Sequence, residues 1–140
     1  MQFEYFDDVT SDQMFRAYGK DLPEVFKHAA MAMFGIMFDL EEVKLEEEVV
    51  VEAMGASEEL LLFDWLSNLL FEFEVRYIFF ADFNITAIER DEEGNLHLTG
   101  LARGSLKPQE RTTHVKAVTF HRFRLEKIDN RYEATVVVDV

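Results

Sequence analysis

A regular stripe of apolar side chains between residues 22 and 37 predicts the first element of the fold. Its members are separated by alternating steps of three and one, which is the repeat of one face of an α-helix. Asp21 stands at the N-cap position, Glu24 follows three residues later as in a capping box, and Pro23 is tolerated only in a first turn. The stripe consists of Leu22, Val25, Phe26, Ala29, Ala30, Met33, Phe34 and Met37. We therefore predict a helix from about residue 22 to residue 38.

A second helix is predicted after Ser57. Elsewhere the apolar residues recur at every second position, as they do in strands. Ser57 is a capping residue followed by Glu58 and Glu59, acids that suit a first turn, and the apolar face continues to Phe73. Short strands are predicted near residues 2–6, 14–18 and 46–52, with hairpins of 77–89 with 96–101 and of 115–127 with 132–139. Strands that cluster in hairpins indicate an α+β fold, with two helices packed on one face of a mostly antiparallel sheet of six or seven strands.

The length and composition indicate one domain that spans residues 1–140. A single domain usually takes roughly 100–200 residues, and no linker-like tract divides this chain of 140. It contains no cysteine, which excludes disulfides, thiolate metal sites and cysteine nucleophiles. The acidic N-terminus lacks the basic flank of a signal peptide, and the apolar run at 60–73 is too polar to span a bilayer. We expect a cytoplasmic protein without a membrane segment.

The formal charge of −14 is unevenly distributed along the chain. Residues 1–70 hold 16 acids and 4 basic residues, whereas residues 71–140 hold 12 and 10. Residues 102–127 carry seven Lys or Arg against two Glu. The overall charge argues against autonomous nucleic-acid binding, which needs a basic surface. The basic segment either meets an acidic or phosphate-bearing partner or forms the solvated outer faces of strands.

Motifs typical of enzymes are absent from the sequence. It contains no phosphate-binding glycine loop, dinucleotide fingerprint, nucleophile elbow or zinc-binding H-E-x-x-H helix. The histidines are His28, His97, His114 and His121, of which the last two are predicted to lie in one strand. Their odd separation would place them on opposite faces of an undistorted strand, so we expect no shared metal. For each histidine a partnered or solvated structural role is the favoured interpretation.

Carboxylates are concentrated near both ends of the chain. Residues 7–12 are rich in the hard oxygen donors that calcium and magnesium prefer, although the spacing is not that of an EF-hand. At the other end, Asp139 precedes the α-carboxylate of Val140, and two adjacent carboxylates repel each other unless a cation neutralises them. The competing interpretations are that residues 7–12 simply form a turn and that the C-terminal residues are frayed and solvated.

Several stretches, taken in order, resemble the archease family, small acidic proteins that assist the GTP-dependent tRNA-splicing ligase. The most specific is V-K-A-V-T-F-H at residues 115–121, which is similar to the family's V-K-A-V-T-Y-H strand. Near the N-terminus, residues 8–12 with 16–20 are similar to the family's D-H-T-A-D…R-A-[WY]-G-K. The two predicted helices contain residues 25–37, similar to A-F-x-x-A-A-x-A-M-F-x-x-M, and residues 62–71, similar to L-L-x-D-W-L-N-E-L-L-Y. The last three residues, 138–140, are similar to V-D-[IV]. Val9 departs from the family's histidine, and Gly104-Ser105 from its frequent G-E.

The resemblance implies a divalent metal, with calcium expected, held by Asp12, Asp139 and the α-carboxylate of Val140. It also implies that a loop containing His114, together with Lys116, Thr119 and His121, faces a partner. That partner would be the tRNA-splicing RNA ligase, whose guanylylation and repeated turnover archeases promote.

Three hypotheses about function follow. The first is a non-catalytic, metal-binding activator of the RNA ligase. The second is a chaperone-like modulator of an RNA-modifying enzyme, which the same uneven charge would suit. The third is a magnesium-dependent phosphohydrolase that uses the same carboxylates with His121 or His114 as acid or base, although no nucleophile or phosphate loop accompanies them.

Overall fold

The computed structural model of the chain describes residues 1–6 and 12–140. In this part of the chain the elements are, in order, β1 (Phe3–Phe6), β2 (Asp12–Gly19), α1 (Leu22–Met37), a short 3₁₀ turn (Leu40–Glu42), β3 (Glu47–Gly55), α2 (Glu58–Arg76), β4 (Phe79–Arg90), β5 (Leu96–Ser105), β6 (Ala117–Ile128) and β7 (Arg131–Asp139). Both predicted helices and the predicted hairpins are confirmed. Of the acidic segment 7–12, for which a turn was one interpretation, residues 7–11 lie outside the described residues and Asp12 begins β2.

The helices begin where local chemistry favours their start. The Asp21 carboxylate accepts a hydrogen bond from the Glu24 backbone N–H at 2.9 Å, and the Glu24 carboxylate accepts one from the Lys20 backbone N–H at 3.0 Å. The first bond caps the N-terminus of α1, and the second ties the residue before the cap to the first turn of the helix. The Ser57 hydroxyl likewise accepts from the Leu60 backbone N–H at 3.1 Å at the start of α2. The sequence therefore specifies both helix starts through contacts within one turn.

The strands of the described residues form two sheets rather than one. One sheet has the order β1-β2-β7-β6, the other has the order β3-β5-β4, and every pairing is antiparallel. The predicted α+β class and number of strands are confirmed, and the division into two sheets is what the structure adds. It joins the N-terminal strands to the C-terminal hairpin, so the two ends of the chain share a sheet.

The core lies where both helices meet both sheets. α1 contacts β2 and β7 of the four-stranded sheet and β4 of the three-stranded sheet, while α2 contacts β3, β5 and β6. Phe34 of α1 is fully buried, with its ring 5.7 Å from that of Phe73 in α2 and 5.3 Å from that of Phe83 in β4. Edge and tilted contacts of this kind add to the energy of burial. The helices therefore hold the two sheets in one hydrophobic core.

The other side of the four-stranded sheet is its outer face, and it positions the candidate site. Along β2, Phe15 and Ala17 are fully buried in the core, so the alternating residues Asp12, Met14 and Arg16 project to the outer face. Across residues 1–6 and 12–140, no helix is both long and apolar enough to cross a membrane.

Candidate functional site

Asp12 and Asp139 are directly opposite each other on β2 and β7. Residues paired in this way in an antiparallel sheet extend their side chains to the same face, with Cβ atoms roughly 4.5–5.5 Å apart. Asp12 is exposed and Asp139 is half-buried. Val140 follows Asp139 directly and packs partly against the core. The pairing of β2 with β7 therefore brings together the two carboxylates that were singled out at opposite ends of the sequence.

The electrostatics of this pair favour a cation. Two carboxylates about 5 Å apart repel each other by about 1 kcal/mol or less where, as at the exposed Asp12, water screens the charges. Carboxylate oxygens are the ligands that calcium and magnesium prefer. Among the residues that the structure describes, no group of three or more His, Cys, Asp or Glu side chains is arranged to hold a metal. A third protein donor at this pair would be the α-carboxylate of Val140. These three carboxylates fit a hard cation because they are negatively charged and offer oxygen ligands.

Lys116, which directly precedes β6, and Thr119 of β6 lie on the side of β7 opposite to β2. The Lys116 backbone N–H donates to the Asp139 carbonyl at 2.8 Å, and Ala117 pairs with Asp139. The Thr119 hydroxyl donates to the Val137 carbonyl at 2.9 Å. Asp139 thus sits between β2 and β6, with the exposed Lys116 immediately next to it.

His114 and His121 are not in one strand, and that prediction is wrong. His114 lies in the loop before β6, where its Nδ1 accepts from Arg111 Nη1 at 3.1 Å and its Nε2 is 3.9 Å from a Glu74 carboxylate oxygen. His121 is an exposed residue inside an irregular part of β6. These contacts place His114 between Arg111 and α2, outside the sheet.

The other two histidines have partners, as expected for structural residues. The buried His28 approaches the Tyr18 carbonyl through Nδ1 at 2.5 Å, so this nitrogen carries the proton. His97 contacts the Asp91 carboxylate at 2.7 Å in the turn of the β4–β5 hairpin. This hydrogen bond, assisted by backbone N–H groups, holds the pKa of Asp91 below its usual value. Neither histidine lies at the carboxylate pair.

The basic segment of the sequence is divided between the two sheets. Arg103, in the three-stranded sheet, lies 3.7 Å from the carboxylate oxygens of both Glu48 and Asp82. Arg124, in the four-stranded sheet, pairs with Glu126 at 2.9 Å. The excess positive charge that appears continuous along the chain therefore does not form one surface.

Arg16 is a candidate functional residue that the sequence patterns missed. It projects from the same face of β2 as Asp12, and together with Arg122 and Arg124 it lines a cavity of about 310 Å³ on the outer face. Asp12 and Arg16 are four residues apart, and an even separation places two residues on the same face of a strand. The sequence could therefore have indicated that they share a face. The closeness of Arg16 to residues more than 100 positions away depends on strand pairing, which no local pattern reports.

Ser105 occupies the position where the archease pattern often has glutamate, and its role here is structural. It is buried, its hydroxyl accepts from the Lys107 backbone N–H at 3.0 Å, and it lies 3.4 Å from a Glu46 carboxylate oxygen. These contacts lie at the end of β5.

Comparison with known proteins agrees with the resemblance found in the sequence. The model of the family described as "Archease protein family" matches residues 3–140. Protein archease of Methanothermobacter thermautotrophicus is 44% identical over 140 residues, covering 99% of this chain and 98% of that protein. Protein archease of Methanosarcina mazei is 41% identical, with 99% of this chain and 96% of that protein covered.

Solved structures share the fold. The solution structure of Methanobacterium thermoautotrophicum protein 1598 superposes with a TM-score of 0.87 at 43% identity, covering 99% of this chain and 98% of that one. The crystal structure of an archease from Thermotoga maritima, described as a possible chaperone, superposes with a TM-score of 0.58 at 19% identity, covering 98% and 99%. The second comparison concerns the fold alone.

Proposed function

The chain belongs to the archease family, and on this premise we propose that it is a non-catalytic, metal-binding accessory protein that activates a GTP-dependent tRNA-splicing RNA ligase in the cytoplasm. The ligase would become guanylylated more readily and turn over repeatedly in its presence. The observation that carries the proposal is the direct pairing of Asp12 with Asp139. It gives one sheet end a concentrated negative charge that a divalent ion would neutralise.

Asp12, Asp139 and the α-carboxylate of Val140 would hold the metal, with calcium expected. When bound, the ion supplies a positive charge that can attract anionic groups of a partner. The exposed side chain of Lys116 adds a second positive charge beside Asp139. His114, Thr119 and His121 would contribute to the same partner-facing region, His114 from the loop before β6 and the other two from β6 itself.

The mode of activation that we propose is differential binding. A protein that binds the guanylylation-competent conformation of the ligase more tightly than other conformations raises the population of that conformation. This mode requires no nucleophile in the activator.

The decisive experiment measures guanylylation and multiple turnover of the purified ligase with and without this protein. We expect Asp12→Ala and Asp139→Ala to lose the stimulation together, while Asp129→Ala, which removes a carboxylate at the opposite end of β7, retains it. Absence of stimulation by the wild-type protein overturns the activator role. If variants that no longer bind calcium still stimulate the ligase, only the role of the metal is overturned and the activator role stands.

A chaperone-like role is the second candidate, because the uneven charge along the chain would also suit a module that modulates an RNA-modifying enzyme. The two roles differ in what they change. A chaperone raises the fraction of ligase that is active, whereas an activator raises the rate of ligase that is already folded. Titration of active ligase before and after addition of this protein separates them, and a parallel assay for GTP turnover by the isolated protein tests the phosphohydrolase alternative.

A further inference from the structure

An irregularity in β6 shapes the outer face of the four-stranded sheet. Thr119 pairs with Val137 and Arg124 pairs with Thr135, so five steps along β6 match two steps along β7 and three extra residues are accommodated. Arg122, within this bulge, has a φ of 54°, a left-handed conformation that is uncommon for residues other than glycine. Bulges redirect side chains, and strained backbone of this kind concentrates at ligand sites.

The bulge borders a cavity of about 310 Å³ on the outer face. Arg16 of β2, Arg122 and Arg124 of β6 and the Thr135 hydroxyl of β7 supply its polar lining, while Phe120 and Phe123 supply rings. The cavity therefore combines three guanidinium groups from two strands that are not neighbours. Each guanidinium carries five N–H donors, so these side chains can present donors to the cavity besides those used within the protein.

Interactions within the protein hold part of this lining in place. Arg16 Nε donates to the Thr135 hydroxyl at 3.2 Å, and the Arg16 guanidinium lies 5.1 Å from the centre of the Phe6 ring. Arg124 pairs with Glu126 at 2.9 Å, although its side chain remains 67% exposed. A guanidinium held in a fixed orientation loses less entropy when it binds a ligand than a freely moving side chain does.

Phe120 adds a flat apolar surface to the same cavity. Its ring stacks on that of Phe63 in α2, with centroids 3.8 Å apart and planes inclined by 5°, and the residue is 64% exposed. Phe63 therefore covers one side of the ring while most of Phe120 remains in solvent. An exposed ring held in this way is a platform on which a planar group can stack.

We propose that this arginine cavity binds a small phosphomonoester that carries a planar ring, a mononucleotide being the simplest example. The phosphate dianion offers three terminal oxygens to the fork-shaped donors of Arg16, Arg122 and Arg124, and the ring stacks on Phe120. A carboxylate has fewer oxygens and half the charge, so it matches three guanidiniums less well. The net charge of −14 would repel a long phosphodiester chain, which favours a small ligand over RNA. The proposal requires neither the ligase nor the metal.

Isothermal titration calorimetry of the full-length protein tests the proposal, with inorganic phosphate, AMP, GMP and adenosine as separate ligands. We expect AMP or GMP to bind more tightly than phosphate, and adenosine not to bind. Arg122→Gln and the exposed Arg124→Gln should each weaken nucleotide binding by about tenfold or more, the value for one charge-assisted hydrogen bond. Phe120→Ala should weaken nucleotide binding but leave phosphate binding unchanged.

The matched control is Arg131→Gln, which removes an arginine that pairs with Glu133 at 3.1 Å in β7 outside the cavity. It should bind nucleotide as the wild type does, and equal losses in Arg131→Gln and Arg122→Gln would overturn the site in favour of a general charge effect. Failure of AMP, GMP and phosphate to bind at about 10 mM, a concentration that reveals even millimolar affinities, also overturns it. Displacement of nucleotide by a short RNA at lower concentration would overturn the small-ligand assignment.

Discussion

Neutralising one member of the carboxylate pair should change the stability of the protein in opposite ways with and without metal. Asp139→Asn keeps the size of the side chain and removes its charge. In EDTA the substitution relieves repulsion from Asp12 across the β2–β7 pairing. In calcium it removes a proposed ligand.

The expected magnitudes follow from the pairing. Relief of about 1 kcal/mol of repulsion at most corresponds to a rise in Tm of up to about 3 °C in EDTA, at roughly 3 °C per kcal/mol for a domain of this size. Calcium at a hundredfold excess over its Kd would stabilise the wild type by about 2.7 kcal/mol, and thus by about 8 °C. Most of this calcium-dependent shift should be lost in the variant.

Differential scanning calorimetry in EDTA and in calcium measures both effects. The control is Asp129→Asn, which removes the same charge in the turn at the far end of β7, where a φ of 48° also suits asparagine. Its calcium-dependent shift should equal that of the wild type. Asp12→Asn should behave as Asp139→Asn does, and the double variant should gain little more in EDTA because either substitution alone removes the same repulsion.

Two results would refute this reasoning. If Asp139→Asn is no more stable than the wild type in EDTA, the carboxylates do not repel each other across the pairing. If calcium stabilises the wild type and Asp139→Asn by the same amount, the ion is bound elsewhere or not by this residue.

Three further substitutions test the fold around the site. A Cβ at Gly104 would lie 1.9 Å from the Phe79 carbonyl oxygen. Gly104→Ala should therefore lower the free energy of unfolding, measured in urea, by about 3 kcal/mol or more. A loss below about 1 kcal/mol would contradict the β4–β5 register. Tyr5→Phe should lose about 1 kcal/mol with the 2.7 Å hydrogen bond to the Ala32 carbonyl. Burial raises the pKa of the Tyr5 phenol from 10.0 to about 12. Its contribution to the free energy of unfolding is therefore complete below pH 10 and is lost as the pH rises towards 12. Over this range the wild type should lose more stability than Tyr5→Phe, and parallel pH profiles would argue against burial of the phenol. Ser57→Ala should cost about 1 kcal/mol by removing the α2 cap, and an unchanged urea midpoint would show that the cap contributes nothing.

The elements that sequence patterns predicted well are those specified by neighbouring residues. The hydrogen bonds that cap α1 lie within residues 20–24, and the apolar stripe that follows them is one helix face. The turn at Asp129-Asn130 is equally local, because both residues adopt positive φ values of 48° and 69° that suit asparagine and aspartate in a two-residue hairpin. These features appear in any short window of the chain.

The division into two sheets and the position of His114 were not predictable in this way. A strand pattern shows which residues alternate, but not which other strand will pair with it. His114 continues the strand pattern of 115–127 along the chain, yet it lies in the loop before β6, where it contacts Arg111 and Glu74. Alternation along a strand shows neither where the strand begins nor which residues outside it will be contacted.

The sequence alone determined the helices and their caps, the turns of the hairpins and the oxygen-donor chemistry of a chain without cysteine. Tertiary structure decided which carboxylates and which arginines come together. The register of β2 on β7 brings Asp12 opposite Asp139, and the three extra residues in β6 bring Arg122 and Arg124 to the cavity that Arg16 lines. The physical reason is that side-chain alternation and capping are contacts between near neighbours, whereas strand register is selected by burial of the whole core.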